Sequence, residues 1–502
     1  MEIDRLLKLQ SQRGAKLTSG SSDSNTTSFE NVTNECRKAI EEQSARYRDL
    51  DAMKKKEEIK AIIVDYVMNN KPLVEGYLDG ENNSDTMKLV NALVQDITNY
   101  GILTVAMERE DIFEIRVNGK EIKVEINGIV QDLTDINGNI VSFESVDQQE
   151  IIIKKMLGDI KLTPKDALVN GSTIEGYRIA AVHSSAMSPD PSEPTADRYH
   201  SFVLRKFKKQ KMNLSEIVRK KTLSDNMART LALCPAGGLT FFTVGPTASG
   251  KTTTNNAILQ AVPKTTRTVL IQNPSEIDLR FKEAGRVVND VLHLEASEKE
   301  NPTPSDPTMS NIMDHTLRLS PTFVCFGEIR SNKEFKQAMK ILQAGHPVNT
   351  TFHAESASGA ISRFLTAYLA ESGNEPSHLA LRTVTDLVNI IIVQKIMRDG
   401  KRRIIQISEI MGVDPEDKDK PLINDLYIFD IDRDPEYDEA GNVVAIHGKH
   451  KRVGQLSERT ATKLKLEGVA ESRYDFLLTP PSKTEVETYT GKNIERYGMS
   501  RV

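Results

Sequence analysis

Cysteine and long apolar runs are both scarce in this chain of 502 residues. The three cysteines, Cys36, Cys234 and Cys325, lie far apart and none belongs to a C-x-x-C pair, as is typical of a reducing, cytoplasmic compartment. The N-terminus lacks the apolar core of a signal peptide, and the most apolar later run, residues 387–393, is far too short to span a bilayer. We therefore expect a cytoplasmic protein that reaches a membrane only through partners.

A large excess of positive charge is missing as well. The chain has 66 Lys and Arg residues against 71 Asp and Glu residues, a formal net charge of -5. This balance argues against nucleic acid as the main partner, so we expect no direct nucleic-acid binding. The chain is also too long for one typical hydrophobic core, and two or three domains are expected.

Composition and periodicity change several times along the first part of the chain. Residues 1–33 are rich in Ser, Thr, Asn and Gly and are predicted to be a flexible segment. Residues 34–105 carry apolar side chains at helical spacing, such as Ile59, Ile62 and Ile63, and are predicted to be a small helical region. Residues 106–207 are predicted to be an α+β domain. Within it a period of two over 112–133, with two Asn-Gly pairs, precedes helical spacing at 146–157, a strand at 177–182 and a proline-rich loop at 188–194.

Strands and amphipathic helices then alternate between residues 208 and 413. The predicted strands are 239–244, 268–271, 323–326 and 348–352, followed by a hairpin of 387–397 and 402–411 around a turn at 398–401. Alternation of this kind predicts an α/β fold, a RecA-like P-loop ATPase domain with a parallel sheet. Residues 414–502 are predicted to be a C-terminal extension, acidic and rich in loops up to a short helix near 460–467.

The run GPTASGKT at residues 245–252 meets the G-x-x-x-x-G-K-[ST] pattern in full and lies between a predicted strand and a predicted helix. That context suits a phosphate-binding loop at a helix N-terminus. We expect Lys251 to reach the β- and γ-phosphates of ATP and the Thr252 hydroxyl to bind Mg²⁺. The predicted nucleotide-binding residues are Gly245, Pro246, Thr247, Ala248, Ser249, Gly250, Lys251, Thr252 and Thr253.

Two further candidates follow predicted strands of the same sheet. Glu328 comes after the apolar run 323–326, at the edge where such sheets bind ligands, and is predicted to orient the attacking water or the metal. The alternative is a surface glutamate after a core strand. His353 ends the strand that His346 opens, and it is positioned to donate a hydrogen bond to the γ-phosphate or to Glu328.

Together these motifs resemble the four ordered boxes of the type II/type IV secretion ATPase superfamily. GPTASGKT at 245–252, NPSE at 273–276, LRLSPTFVCFGEIR at 317–330 and AGHPVNTTFHA at 344–354 match its Walker A, Asp, Walker B and His boxes. The chain is most similar to the CpaF-type ATPases that drive Tad pili. Their N-terminal and C-terminal patterns recur in FEIRVNG at 113–119, GYRIAAV at 176–182, FVLRKF at 202–207, RDGKRR at 398–403 and SEIMGV at 408–413. The similarity extends over roughly residues 95–470.

The resemblance implies a homo-hexameric ATPase that uses ATP and Mg²⁺ and works with inner-membrane platform proteins. It implies catalytic parts for Glu328, Glu276 and His353, with Glu328 also near the metal. It further implies that Arg178 and Arg205 bring positive charge to the nucleotide phosphates, as an arginine finger does. On charge alone, Arg205 is equally compatible with an ordinary basic linker at 205–211.

The chain departs from the family pattern at several positions. The usual Glu-Asp pair that opens the Asp box is Gln272-Asn273, which leaves Glu276 as the only acid of that box. Ala248 replaces a glycine common in the family, and it is expected to take an unstrained negative φ. Ser320 and Thr322 replace an arginine and an aspartate before the Walker B box, with no role that we can assign.

The predicted function is therefore that of a hexameric ATPase that powers assembly of a Tad-type or related pilus, or secretion. Two alternatives remain. One is a non-hydrolysing structural subunit of such a ring, because the Asp box has lost its acidic pair. The other is a P-loop transferase, because GPTASGKT also resembles the loop of tRNA dimethylallyltransferases, although those enzymes carry it near the N-terminus and lack counterparts of Glu328 and His353.

Overall fold

The computed structural model describes residues 27–43, 52–74, 77–79, 83–126, 129–135, 138–158, 160–188, 198–206, 212–273, 276–284, 286–296, 306–373, 375–482, 485–492 and 494. The chain divides into two compact units, Met1–Lys209 and Gln210–Val502. The finer division into five segments stays a prediction. Residues 1–26 of the predicted flexible segment 1–33, the second Asn-Gly pair at 127–128 and the proline-rich loop after Ser188 lie outside the described residues. Residues 29–33 of that predicted segment belong to a helix.

Three helices open the first unit and share an apolar core, which agrees with the helical spacing of residues 34–105. The first is amphipathic, with Val32, Cys36 and Ile40 buried at intervals of four residues. Ser28 caps it by accepting a hydrogen bond from the backbone N–H of Asn31. These helices and the short hairpin between the last two are α1 (Phe29–Glu42), α2 (Ala52–Asn70), β1 (Leu78–Asp79), β2 (Asn83–Ser84) and α3 (Thr86–Thr98).

The rest of the first unit is a six-stranded antiparallel sheet packed against helices. The predicted meander is confirmed, and Gly119 takes a φ of 65° in its first tight turn. The strand order is β5-β4-β3-β8-β7-β6. The elements are α4 (Thr104–Glu108), β3 (Ile112–Asn118), β4 (Glu121–Ile126), β5 (Ile129–Asp132), α5 (Val146–Leu157), β6 (Leu168–Ser172), β7 (Arg178–Val182) and β8 (Ser201–Arg205).

The second unit is built on a nine-stranded sheet in the order β13-β10-β14-β15-β9-β16-β17-β18-β21. The first six strands of this order are parallel and the last three are antiparallel, so the predicted α/β class is confirmed. The strands are β9 (Phe241–Val244), β10 (Thr268–Gln272), β13 (Val291–Glu295), β14 (Phe323–Phe326), β15 (Val348–Phe352), β16 (Ile390–Ile396), β17 (Arg402–Val413), β18 (Pro421–Ile431) and β21 (Gly448–Arg452). Short pairs lie beside it: β11 (Lys282–Glu283) with β12 (Arg286–Val287), and β19 (Glu436–Tyr437) with β20 (Val443–Ala445).

Helices cover both faces of the parallel part of the sheet. Phe241 lies in one hydrophobic core and Phe242 in another, because successive side chains of a strand point to opposite faces. Both faces of the central strands are thereby buried, as a parallel sheet requires. The helices are α6 (Leu214–Arg219), α7 (Asp225–Ala236), α8 (Lys251–Leu259), α9 (Met309–Thr316), α10 (Asn332–Gln343), α11 (Ala357–Ser372), α12 (Ser377–Leu387) and α13 (Glu458–Leu466).

The prediction that the chain is rich in loops after Asp414 is wrong. The 11-residue strand β18 and the 5-residue strand β21 extend the large sheet there. Acidic residues in β18 hide its strand character in the sequence, but each has a partner in the fold. Asp425 accepts hydrogen bonds from Gln406 and Ser408, and Asp430 pairs with Lys451. The predicted hairpin at 398–401 and the late helix, α13, are confirmed.

None of the helices in the described ranges is both long and apolar enough to cross a membrane.

Candidate functional site

Four neighbouring strands of the large sheet end at one edge, and the predicted residues of the second unit follow them. In sheet order these strands are β10, β14, β15 and β9, all parallel. Their carboxyl ends lead to Glu276, Glu328, His353 and the phosphate loop at 245–252. Carboxyl ends of parallel strands meet at the same edge of a sheet, so the fold brings the four sequence boxes to one place.

Two glycines give the phosphate loop its path. Gly245 has a φ of 153° and Gly250 a φ of 92°, a region that other residues rarely adopt. A Cβ atom on Gly245 would lie 1.9 Å from the backbone oxygen of Gln394 in β16, so only glycine fits there. Gly250 is the N-cap of α8, and the free N–H groups of the first helical turn, at Lys251, Thr252 and Thr253, therefore begin at the loop.

Ala248 lies in the left-handed region, with a φ of 62°, so the expectation of an unstrained negative φ is wrong. The path between the end of β9 and the start of α8 sets this conformation, whichever residue stands at the position. An alanine there costs roughly 1–2 kcal/mol that a glycine would not. The carbonyl oxygen of Ala248 accepts a hydrogen bond of 3.0 Å from Nε of Arg402, the first residue of β17.

Lys251 turns its ammonium into the loop. The side-chain Nζ donates hydrogen bonds to the carbonyl oxygens of Gly245, at 3.0 Å, and Pro246, at 2.9 Å. Burial lowers the pKa of Lys251, and the nearby negative charge of Glu328 partly opposes that shift. The loop carbonyls are partners that a phosphate group can replace.

His353 links the loop to the acidic residue. Its Nδ1 lies 3.1 Å from the carbonyl oxygen of Gly245 and 3.4 Å from Nζ of Lys251. Its Nε2 lies 3.3 Å from Oε1 of Glu328, whose other oxygen accepts a 2.8 Å hydrogen bond from Nε of Arg330. A cation, an imidazole and a carboxylate are thus in contact at the sheet edge.

Gln272, one of the two residues that replace the usual acidic pair, holds the segment that follows β10. Its side chain is buried, and Oε1 accepts hydrogen bonds from the backbone N–H groups of Glu276, at 3.0 Å, and Ile277, at 2.6 Å. Its Nε2 donates to the carbonyl oxygen of Ile277 at 2.9 Å. A carboxylate accepts but cannot donate, so the amide suits this position better than the acid does. Gln272 fixes the backbone of Glu276 beside the sheet edge.

An amide pair that the sequence analysis missed joins the loop helix to the His353 strand. Asn255 of α8 and Asn349 of β15 are fully buried and exchange hydrogen bonds of 2.8 and 2.9 Å. Thr243 of β9 donates to Asn255, and Asn349 donates to the carbonyl of Phe241. Two asparagines in a helix and a strand predicted to pack in the core were the available signal, because a buried amide needs a partner.

The arginines predicted in the first unit lie on neighbouring strands of its sheet. Arg178 of β7 and Arg205 of β8 are direct cross-strand partners, and Arg205 is also the partner of Glu114 in β3. The guanidinium of Arg205 donates to Oε2 of Glu114 at 2.9 and 3.1 Å, and Arg116 bonds the other oxygen. Burial by itself raises the pKa of Glu114, but the hydrogen bonds and charges of Arg116 and Arg205 outweigh it, and the net pKa is lowered.

The predicted metal ligands fit a site that is completed by the nucleotide. Across the part of the chain that the structure describes, no group of three or more His, Cys, Asp and Glu side chains could hold a metal ion by itself. Mg²⁺ commonly takes one or two protein ligands together with waters and phosphate oxygens. The hydroxyl of Thr252 in the first turn of α8 and the carboxylate of Glu328 are oxygen donors of that kind.

Comparison with known proteins identifies relatives over most of the chain. A family model described as type II/IV secretion system protein matches residues 81–421. The uncharacterized protein MJ0900 of Methanocaldococcus jannaschii is 30% identical over 248 residues, which cover 49% of this chain and 40% of that protein. The type II secretion system protein E of Pseudomonas aeruginosa is 25% identical over 307 residues, covering 61% of this chain and 54% of that protein.

Among solved structures, the X-ray structure of the ATPase DotB of Legionella pneumophila matches with 19% sequence identity and a TM-score of 0.43. The match covers 61% of this chain and 79% of that one. The chain spans about half the length of the curated relatives that it matches, from 40% to 60% for the first three.

Proposed function

The chain belongs to the type II/IV secretion system protein family, and we propose that it is an ATPase that couples ATP hydrolysis to pilus assembly or to secretion. The observation that carries the proposal is the contact of His353 with both the phosphate loop and Glu328. A phosphate loop binds and polarises a nucleoside triphosphate, a carboxylate beside it orients the attacking water, and the histidine here contacts both.

ATP binds through residues 245–253. The N–H groups of the loop and of the first turn of α8 hold the phosphates, and Lys251 exchanges the carbonyls of Gly245 and Pro246 for phosphate oxygens. Burial lowers the pKa of Lys251, and a phosphate group beside the ammonium would stabilise its charged form. Thr252 and Glu328 hold Mg²⁺, which neutralises phosphate charge when bound.

Glu328 orients the attacking water. One of its oxygens is bonded to Arg330 and the other faces His353, so the carboxylate has a fixed direction. His353 lies where it can pass from Glu328 to the γ-phosphate, and Glu276 adds the acidic group that remains in its box. Gln272 is a structural residue in this proposal, and its presence does not argue against hydrolysis.

Arg178 and Arg205 supply positive charge that offsets the charge of the transferred phosphoryl group. Arg205 is bonded to Glu114 in the first unit, and Glu114 keeps a second arginine, Arg116, if Arg205 leaves it. If Arg205 binds another anion, the buried carboxylate of Glu114 is therefore not left without a cation.

The working form is a homo-hexamer on the cytoplasmic side of the inner membrane, docked to platform proteins of a Tad-type pilus machine. The support is the CpaF-like pattern of residues 113–119, 176–182, 202–207 and 398–413. The alternative role of the same ATPase is to drive secretion through a related machine.

The test is steady-state hydrolysis of ATP with Mg²⁺ by the purified full chain, with ring formation followed by sizing. We expect Lys251→Ala and Glu328→Gln each to lower kcat by about a hundredfold or more. Lys340→Ala and Glu283→Gln are matched controls, because these residues form surface ion pairs with Asp314 and Lys264. We expect both to keep the wild-type rate.

Tight binding of ATP by an assembled ring without turnover would contradict the ATPase proposal and favour the structural-subunit alternative. Transfer of a dimethylallyl group to tRNA would favour the transferase alternative. In a second series, Arg178→Ala and Arg205→Ala should lower kcat while Arg382→Ala, a change at an exposed helix position, should leave it unaltered.

A further inference from the structure

Arg402 reaches the phosphate loop from a strand that belongs to none of the four sequence boxes discussed above. It is the first residue of β17, and its Nε donates to the carbonyl oxygen of Ala248 at 3.0 Å. Its side-chain stem packs against Gly250, since a Cβ atom on that glycine would lie 3.0 Å from Cδ of Arg402. One arginine therefore spans the loop from Ala248 to the start of α8.

The neighbouring residue, Arg403, fixes the backbone from which Arg402 extends. Arg403, on the opposite side of β17, bonds both carboxylate oxygens of the buried Asp399 at 2.9 and 2.7 Å and lies over the ring of Phe429. Asp399 also accepts hydrogen bonds from the backbone N–H groups of Lys401 and Ile446. Because the hairpin tip is anchored in this way, Arg402 is delivered to the loop from a fixed point.

Ala248 is the residue that needs such support. Its left-handed φ of 62° is strained for an alanine, so the free loop tends to relax to a negative φ. Relaxation would turn the peptide between Ala248 and Ser249 and move the N–H groups that face a phosphate. The bond from Arg402 to the carbonyl of that same peptide resists the turn.

We propose that Arg402 is a positioning residue of the phosphate loop, which keeps the strained Ala248 in its left-handed conformation and so preorganises the loop for a nucleoside triphosphate. The inference rests on the proposed function for the identity of the ligand. The coupling between Arg402 and the strained conformation of Ala248 does not depend on any ligand.

The experiment is a double-mutant cycle with Arg402→Ala and Ala248→Gly in the full chain. We expect Arg402→Ala to weaken binding of a fluorescent ADP analogue and raise KM for ATP by about tenfold, with kcat within about twofold. In the Ala248→Gly background the same change should cost about twofold or less, because glycine holds a positive φ without help. Arg402→Lys keeps a cationic donor and should recover part of the affinity.

Ala284→Gly is the matched control for Ala248→Gly. Ala284 also has a positive φ, 47°, in the exposed turn between β11 and β12. Relief of strain there should not rescue Arg402→Ala.

Three results would overturn the inference. An equal loss of affinity in both backgrounds would mean that Arg402 contacts the nucleotide directly. An unchanged affinity in Arg402→Ala would mean that its bond to Ala248 does not affect nucleotide binding. Rescue by Ala284→Gly would mean that the effect is general stabilisation. The midpoint of thermal unfolding of the same variants is also measured without nucleotide. A wild-type chain that binds no nucleotide would refute the proposed function, while coupling in these midpoints would still support the role of Arg402.

Discussion

The ring of His353 lies against the carboxylate of Glu328, with 3.3 Å between Nε2 and Oε1. The two residues end or follow adjacent parallel strands, and the other ring nitrogen faces the phosphate loop at the carbonyl of Gly245. A single ring therefore contacts both the phosphate loop and the carboxylate.

The first prediction follows from this contact. His353→Ala should lower kcat by about ten- to a hundredfold, because Glu328 loses a group that fixes its direction, while the affinity for ATP changes by less than about threefold. Steady-state kinetics and equilibrium binding measure the two quantities. His346→Ala is the control within the same box, since His346 lies two residues before β15, at the opposite end of the strand from His353. Equal losses in the two variants would contradict a specific role for His353.

The second prediction concerns the altered Asp box. Gln272→Glu should lower the free energy of unfolding by about 1–3 kcal/mol, because the carboxylate cannot donate to the carbonyl of Ile277 and is buried. Denaturant unfolding measures the change, and ATP hydrolysis should not increase. Gln260→Glu, which removes a donor to Asn256 at the half-exposed end of α8, should cost less than about 0.5 kcal/mol. A faster ATPase in Gln272→Glu would mean that the glutamine is a lost catalytic acid.

The third prediction tests the amide pair between the loop helix and the His353 strand. Asn255→Leu and Asn349→Leu should each cost about 1–3 kcal/mol of stability, because each leaves a buried amide without its partner. The double variant should cost clearly less than the sum, since it removes both polar groups. A parallel cycle of Asn349→Leu with Asn442→Ala, in an exposed turn, should be additive. Additivity in the first cycle would contradict the coupling.

The fourth prediction is a pH dependence of stability set by His450. Its ring is buried between Phe429 and Tyr489, its Nε2 donates to the carbonyl of Ile404, and Nδ1 faces the Tyr489 hydroxyl. Burial, reinforced by the positive charge of Arg403 and opposed by the bond to Ile404, lowers the pKa of His450 from 6.5 to about 4. As the pH falls below 6.5, the unfolded chain therefore takes up a proton that the folded chain does not.

Folding stability should accordingly fall between pH 6.5 and pH 4, by up to about 3 kcal/mol from this residue. Well above pH 6.5 His450 is neutral in both the folded and the unfolded chain, so it adds no pH dependence to the free energy of unfolding. Chemical unfolding at pH 7.5 and 5 measures the difference. His450→Gln should flatten the profile, whereas His378→Gln, at an exposed helix position, should not. An unchanged slope in His450→Gln would assign the pH dependence to other groups.

Much of the fold was readable from local pattern. The strands Phe323–Phe326 and Val348–Phe352 and the helix Val146–Leu157 have the bounds that periodicity predicts, because each is a short apolar or amphipathic run with clear turn signals around it. Strand β18 was missed for the converse reason. Its asparagine and aspartate residues are satisfied by side chains of the paired strands β17 and β21, which the pattern of β18 alone does not show.

The site divides in the same way. The identities of Lys251, Thr252, Glu328 and His353 could be predicted, since a glycine-rich loop after a strand and polar residues at later strand ends are local patterns. The left-handed conformation of Ala248, the bonding of Gln272 and the approach of Arg402 could not. The approach of Arg402 depends on the pairing of β17 within the sheet, and the other two depend on the path of the backbone, which residue types alone do not reveal.

The sequence by itself determined the class of fold, most of its strands and helices, and the phosphate-loop pattern, because these follow from hydrophobic periodicity and from residue types at short spacing. Only the tertiary structure decided which polar groups meet. It placed His353 between Lys251 and Glu328, closed Asn255 onto Asn349, and brought Arg402 to Ala248 across a gap of 154 residues. Such contacts are set by sheet order and register, and these are properties of packing that no local window of sequence contains.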